Sequence, residues 1–253
     1  MSFIEDLATA LAQAKRGVVL TGAGVSTDSG IPDFRSRMGL WGGADPLRYA
    51  TLAGLLSDPA GFYGFWRNVF GRLPEIQPSF AHRFVAALEA RGHVRAVITQ
   101  NVDGLHQAAG SRRVHEVHGS FRRLLCMSCP FSGPLDFGEG ALPRCPSCGG
   151  LLRPSVVFFG EALGPAFDEA TADLLQADFL LVLGTSLEVH PVAGLVPLAA
   201  EHHIPIAIIN RDPTPYDHLA SFVAHAELRP TLFALAKHLD LGELGELQAL
   251  AKR

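Results

Sequence analysis

Apolar residues Ile4, Leu7, Ala8, Leu11 and Ala12 recur at helical spacing near the start of the chain, and Gly17 breaks the pattern ahead of the short apolar run Val18-Val19-Leu20. This predicts a helix feeding a buried strand. The alternation returns along the chain. A helical pattern over Phe80 to Leu88 precedes Val97-Ile98, and Phe179-Leu180-Leu181-Val182-Leu183 stands ahead of a further helical stretch. Ile206-Ala207-Ile208-Ile209 follows, and a last helix is predicted from about Pro230 to Leu239. Short, wholly apolar strands alternating with helices predict an α/β fold, a parallel sheet with helices on both faces.

Two stretches break this rhythm. Residues 36–76 are rich in aromatic, Gly and Pro residues with weak helical patterning, and residues 120–154 hold all four cysteines and five of the prolines. They read as insertions that form a small second domain, leaving residues 1–35, 77–119 and 155–253 to the sheet. With 253 residues, 48% of them hydrophobic and 18% charged, the chain can bury a core without disulfides. A net charge of −4 gives no general electrostatic reason to expect nucleic acid as a partner. The first residues show no basic stretch followed by an apolar run, and no run approaches the roughly 18 to 20 apolar residues that span a bilayer. A cytoplasmic protein with reduced cysteines and no membrane partner is expected.

Cys126-x2-Cys129 and Cys145-x2-Cys148 are separated by 15 residues, the spacing of a four-cysteine zinc ribbon. Pro130, Pro143, Pro146, Gly149 and Gly150 supply turns around the two knuckles. Four sulfur ligands leave no position for water, so this zinc is expected to be structural.

Directly after the first strand comes Thr21-Gly22-Ala23-Gly24-Val25-Ser26-Thr27-Asp28-Ser29-Gly30. A strand, a glycine turn and a helix start suit a dinucleotide phosphate, because glycines admit the backbone and a helix N-terminus attracts the anion. Thr27 stands where the third glycine of G-x-G-x-x-G falls, so a plain strand-to-helix turn is as good a reading of this segment alone. Ile31-Pro32-Asp33-Phe34-Arg35 then adds an acid, a ring and a guanidinium. Thr99-Gln100-Asn101-Val102-Asp103, Gly184-Thr185-Ser186 and Asn210-Arg211 each follow an apolar strand. Four strands thus carry polar residues to one sheet edge, where ligands bind in such folds.

Taken in order, Gly22-Ala23-Gly24-Val25-Ser26, Gly30 to Arg35, Thr99 to Asp103, His118-Gly119, the cysteine knuckles, Val156-Val157-Phe158-Phe159-Gly160-Glu161 and Gly184-Thr185-Ser186 resemble the sirtuins, bacterial type. The resemblance runs from about residue 15 to 230. It implies a Rossmann-like NAD-binding domain, a small domain of zinc ribbon and helical module, and NAD-dependent deacylation of protein lysines. It assigns Gly22, Ala23, Gly24, Ser26, Asp33, Phe34 and Arg35 to the phosphates, ribose and closing lid of NAD. Asn101 and Asp103 are assigned to the nicotinamide pocket, Gln100 to the ribose, and Gly184, Thr185, Ser186, Asn210 and Arg211 to the adenosine half, with an adenine contact around Ala224-His225-Ala226. Catalysis falls to His118 and Asn101.

An imidazole titrates near neutral pH and can take a proton from a ribose hydroxyl. Among eleven histidines, His118 occupies the position of the family's base, while His106 and His115 read as structural. The implied reaction begins when the acyl oxygen attacks the NAD carbon that bears nicotinamide. Nicotinamide leaves, His118 activates a ribose hydroxyl against the resulting imidate, and water releases lysine and O-acyl-ADP-ribose.

Val156 to Glu161 also reads as a core strand on pattern alone. The resemblance instead places it in a cleft, where an acyl-lysine peptide adds as a strand between it and Leu187-Glu188-Val189. Sirtuins that prefer succinyl or malonyl lysine carry a Tyr and an Arg three residues apart, where this chain has Trp66 and Val69. An uncharged acyl group, acetyl first, is therefore expected. The alternatives are an ADP-ribosyltransferase or NAD hydrolase on the same fold, and a zinc-ribbon binding module on an inactive scaffold.

Overall fold

The strands form because each apolar run is buried from both sides. In this computed structural model, which describes residues 2–33, 39–40, 43–135 and 142–241, a parallel sheet runs in the order β3-β2-β1-β7-β8-β9. Its members are β1 (Gly17–Thr21), β2 (Val94–Thr99), β3 (Val114–Glu116), β7 (Leu180–Leu183), β8 (Ile206–Asn210) and β9 (Phe222–His225). Successive residues alternate between two cores. Val19, Val97, Leu181 and Ile209 face α1 (Phe3–Gln13), α5 (Phe80–Ala90) and α9 (Leu228–His238). Val18, Leu20, Ile98, Val182 and Ile208 face α7 (Pro165–Leu175) and α8 (Leu195–Glu201). A strand covered on both faces has no polar side to show, and this accounts for the unbroken runs.

The edge strands β3 and β9 lie beyond the four expected. β3 mixes His115 and Glu116 with a single apolar residue, and β9 carries only the three-residue run Phe222-Val223-Ala224 before His225.

α1 is closed at its start by a capping box, in which Ser2 accepts from the Glu5 amide and the Glu5 carboxylate accepts from the Ser2 amide. The glycine turn after β1 departs from expectation. It leads into two short 3₁₀ turns, Ala23–Val25 and Thr27–Ser29, and ends at Gly30 with φ 85°. Thr27 Oγ1 donates back to the Gly24 carbonyl, and Pro32 follows, so no α-helix starts there.

A second, antiparallel sheet is ordered β5-β4-β6, from β4 (Gly119–Cys126), β5 (Ser132–Pro134) and β6 (Leu152–Val156). Beside it, α2 (Pro46–Tyr49), α3 (Leu52–Ser57) and α4 (Pro59–Phe70) bury Phe62, Tyr63, Trp66 and Phe70 against Phe121 and Phe158. Asp58 caps α4 through the Gly61 amide. One short helix, α6 (Leu105–Ala108), connects β2 to β3. No helix among the described residues is long and apolar enough to cross a membrane.

Candidate active site

The carboxyl ends of β1, β2, β7 and β8 open onto a cleft of about 580 Å³. Its far wall comes from the small sheet and the helices beside it. Of the described residues assigned singly to NAD, catalysis or the peptide, all but Ser26 and Asp103 line this cleft, whereas Leu187, Ala224 and His225 from the flanking segments do not. Phe34 and Arg35 lie outside the described residues.

Glycine is required where the first turn meets the third. The Gly24 amide donates to the Gly184 carbonyl at 2.9 Å. A Cβ on Gly24 would stand 2.8 Å from Gly184 Cα, and one on Gly22 would stand 2.6 Å from Thr185 Cβ. Gly184 itself has φ 59°. The contact leaves bare backbone facing the cleft from both turns. Gln100 Nε2 donates to Thr185 Oγ1 at 2.9 Å and ties the second turn to the third.

Asn101 is 5% exposed, and its Nδ2 donates to the Gly22 carbonyl and to Ser26 Oγ, both at 3.0 Å. A carbonyl only accepts, so the atom beside Gly22 is nitrogen and the amide orientation follows. With both hydrogens committed, Oδ1 is the polar atom left for a ligand.

Ser26 and Asp103 support this arrangement from behind the wall. Ser26 Oγ donates to Asp103 Oδ2 at 2.7 Å, and the Leu105 amide donates to Asp103 Oδ1 at 2.9 Å. Burial pushes the Asp103 carboxyl up, against these hydrogen bonds.

His118 follows β3 and lines the cleft between the glycine turns and the small sheet. Its Nδ1 lies 3.1 Å from the Gln100 carbonyl oxygen. Burial holds its pKa below the usual histidine value, with the Gln100 carbonyl working in the opposite direction. The rivals are elsewhere. His106 is 1% exposed, bonded to Thr21 Oγ1 at 2.9 Å and pushed down to about 3 by burial. His115 is buried against Asp173, 2.7 Å away. Neither lines the cleft.

The run Val156 to Glu161 is a strand only at Val156, the last residue of β6, and the rest crosses the cleft wall without a ladder. Glu188 and Val189 line the cleft as well. Trp66 reaches the lining, fixed by its Nε1 donation to the Tyr49 carbonyl at 2.7 Å, whereas Val69 packs into the aromatic cluster.

Sequence reasoning missed part of the wall. The adenine contact expected around Ala224-His225-Ala226 reaches the wall only at Ala226, whose amide donates to the Asn210 carbonyl, and the unexpected Glu227, Leu228 and Arg229 line it beyond, where β9 turns into α9. Placing residues at strand ends works for Phe222-Val223-Ala224 too, once that run is read as a strand. Tyr49, Ala50 and Phe121 also contribute, from aromatic-rich segments that read as core.

The four cysteine Sγ atoms lie within 4.8 Å of one another, with Cys126–Cys148 at 3.5 Å and Cys129–Cys145 at 3.6 Å. Zinc–sulfur bonds of about 2.3 Å in a tetrahedron put sulfurs about 3.8 Å apart, so the donor set fits a zinc ion. None of these cysteines lines the cleft.

Residues 22–191 match the Sir2 family. An NAD-dependent protein deacetylase of Chromobacterium violaceum is 46% identical over 223 residues, covering 86% of this chain and 91% of its own. A solved mutant Sir2 homologue in complex with ADP-ribose superposes with a TM-score of 0.89 at 36% identity, covering 100% of this chain and 99% of its own. A Sir2 mutant solved with a deacetylated p53 peptide and 3′-O-acetyl ADP-ribose gives 0.87 at 32% identity, covering 92% and 97%.

Proposed function

The chain belongs to the Sir2 family and is an NAD-dependent protein deacetylase, and we propose that His118 is its general base. The observation that carries this assignment is the Nδ1 contact to the Gln100 carbonyl on a histidine that lines the cleft. The carbonyl takes the Nδ1 hydrogen and leaves Nε2 as the proton acceptor. When bound, NAD supplies the ribose carbon from which nicotinamide departs and the hydroxyl that receives the acyl group.

The residues around it divide the remaining work. Gly22, Ala23 and Gly24 offer backbone to the phosphates, Asp33 and Gln100 serve the ribose, and Gly184, Thr185, Ser186, Asn210 and Arg211 hold the adenosine half. Asn101 presents Oδ1 near the nicotinamide end, fixed by Ser26 and Asp103. Phe34 and Arg35 are assigned to the lid. An acyl-lysine peptide lies extended between Val156 to Glu161 and Val189, bound mainly through its backbone. Residues 36–76 and 120–154 serve as the small domain against a nucleotide domain of 1–35, 77–119 and 155–253. The thiols of the zinc site suit a cytoplasmic setting.

With Trp66 in the lining and Val69 turned into the core, the acyl pocket favours an uncharged group, acetyl first. Succinyl-lysine peptides turning over faster than matched acetyl peptides would contradict this. The central test is incubation with labelled NAD and an acetylated peptide, followed by product identification. Recovery of acetylated ADP-ribose supports the assignment, while labelled protein or free ADP-ribose alone points to transfer or hydrolysis.

A further inference from the structure

The segment after β6 commits all of its amides but that of Gly160 to the protein. The Val157 N–H donates to the His118 carbonyl at 2.9 Å, the Phe158 N–H to the Glu161 carboxylate at 2.9 Å, and the Phe159 N–H to the Ala50 carbonyl at 2.8 Å. These partners come from the histidine segment, from the same loop and from the end of α2. Among the described residues, the carbonyls of Val157 and Phe159 and the amide of Gly160 have no hydrogen-bond partner. With the carbonyls of Gly160 and Glu161, likewise without a partner, they are the backbone groups left for a ligand.

Arg153 stands behind this loop, in β6. Its Nη1 donates to Glu161 Oε1 at 2.6 Å, and its Nη2 donates to Glu161 Oε2 at 2.8 Å and to the Val156 carbonyl at 2.9 Å. The guanidinium also lies 4.2 Å from the centre of the Phe158 ring. Val156, Phe158 and Glu161 line the cleft, whereas Arg153 does not, and its side chain is 17% exposed. The Glu161 carboxylate thus accepts from the arginine and from the Phe158 amide, drawing the end of the loop back onto its start. A two-pronged arginine–carboxylate pair fixes geometry as well as adding energy. Here it does what a neighbouring strand does elsewhere, deciding which backbone groups face outward.

We propose that Arg153 is a positioning residue for the protein substrate: by clasping Glu161 and Val156, it holds residues 156–161 in the shape whose open backbone groups receive an extended acyl-lysine peptide. The inference rests on the peptide-strand reading given above. Arg153 reaches no reacting atom, so its effect falls on the flanking peptide backbone and spares NAD.

The test compares Arg153→Gln with the unaltered enzyme on an acetylated peptide and on a single acetyl-lysine without flanking residues, with NAD varied. The peptide KM is expected to rise about tenfold or more, the scale of a lost charge-assisted bond. The kcat, the KM for NAD and kcat/KM on the single acetyl-lysine should stay within about twofold. Arg153→Lys keeps the charge but loses the fork, so its peptide KM should fall between the two. Equal losses on peptide and single acetyl-lysine would reveal a general structural role and overturn the proposal, as would an unchanged peptide KM. If Arg153→Gln does not fold, Arg153→Lys decides by the same comparison. An unaltered enzyme that discriminates neither substrate by its flanking residues defeats the peptide-strand reading instead.

Discussion

The Nδ1 of His118 and the carbonyl oxygen of Gln100 stand 3.1 Å apart, joining the residue after β2 to the residue before the small sheet. Only a protonated Nδ1 can donate there, so the neutral ring carries its free lone pair on Nε2. Burial favours this neutral form by holding the pKa below the ordinary histidine value. The sign for catalysis follows: deacetylation should rise with pH on a limb centred below about 6.5 and be level at neutral pH. His118→Ala should cost about 10² to 10⁴ in kcat while leaving NAD binding measurable by calorimetry. A limb centred above 6.5, or retained activity in the alanine variant, would remove His118 from its role.

Gly24 and Gly184 lie in direct backbone contact where the turns after β1 and β7 meet, and no side chain fits at either position. Gly24→Ala must push Gly184 away, at a cost of about 1–3 kcal/mol for overpacking. The displaced turn is also the one that faces the ligand, so NAD affinity should fall along with melting temperature. Gly164→Ala, where a Cβ meets nothing within 4 Å, serves as the control and should leave NAD affinity unchanged. Equal NAD titrations for both variants would show that this contact does not shape the nucleotide site.

Removal of zinc should reach the peptide side of the cleft first. The cysteines staple the sheet β5-β4-β6, and Val156 to Glu161 continues directly from β6. Gly22, Gly24 and Gly184 lie in turns that follow β1 and β7 of the other sheet. Binding zinc can supply about 10 kcal/mol or more of local folding energy, so Cys145→Ser should lose the metal and loosen this lobe. The peptide KM is then expected to rise at zinc contents where NAD still binds. Full activity in a protein shown by metal analysis to be zinc-free would contradict a structural role.

These relationships were legible in the sequence to different depths. Val18 to Leu20 and Ile206 to Ile209 announce themselves because burial on both faces leaves no polar interruption, and the polar residues after them fall at the cleft as strand ends must. Val156 to Glu161 misleads on pattern alone, since apolar residues that wall a cleft look like those that fill a core. Ser26 and Asp103 show the converse limit: they belong to ligand-facing motifs, yet their side chains bond to each other behind Asn101. The same polar chemistry serves a ligand or a second layer, and only the backbone path separates the two. The Arg153–Glu161 clasp spans eight positions across an irregular loop, and no periodicity registers such a pair.

Two further histidines make acid stability testable. His82 and His106 are almost wholly buried, with ring centres 4.7 Å apart. Burial lowers the pKa of His82 well below the ordinary value, with the charges of His106 and Arg83 adding to it, and burial alone lowers that of His106 to about 3. Between about pH 6.5 and these lowered values the unfolded chain binds protons that the folded chain refuses. Stability is therefore fully present above about pH 6.5 and lost as pH falls, by up to about 1.4 kcal/mol per pH unit for each ring. The raised carboxyls of Asp103 and Glu116 oppose this only above about pH 4, where they hold protons that their unfolded forms have released. The lowered carboxyls of Asp58, Asp173 and Asp217 contribute below about pH 4, as they too become protonated. In the window from about pH 6.5 to 5 the histidines lower stability while the raised carboxyls restore part of it, so the difference between a histidine variant and the unaltered protein isolates the histidine. His106→Gln retains a donor for Thr21 but does not titrate, so its stability should fall less steeply in denaturant melts across that window. An identical slope in the variant would show that burial of His106 does not govern the acid limb.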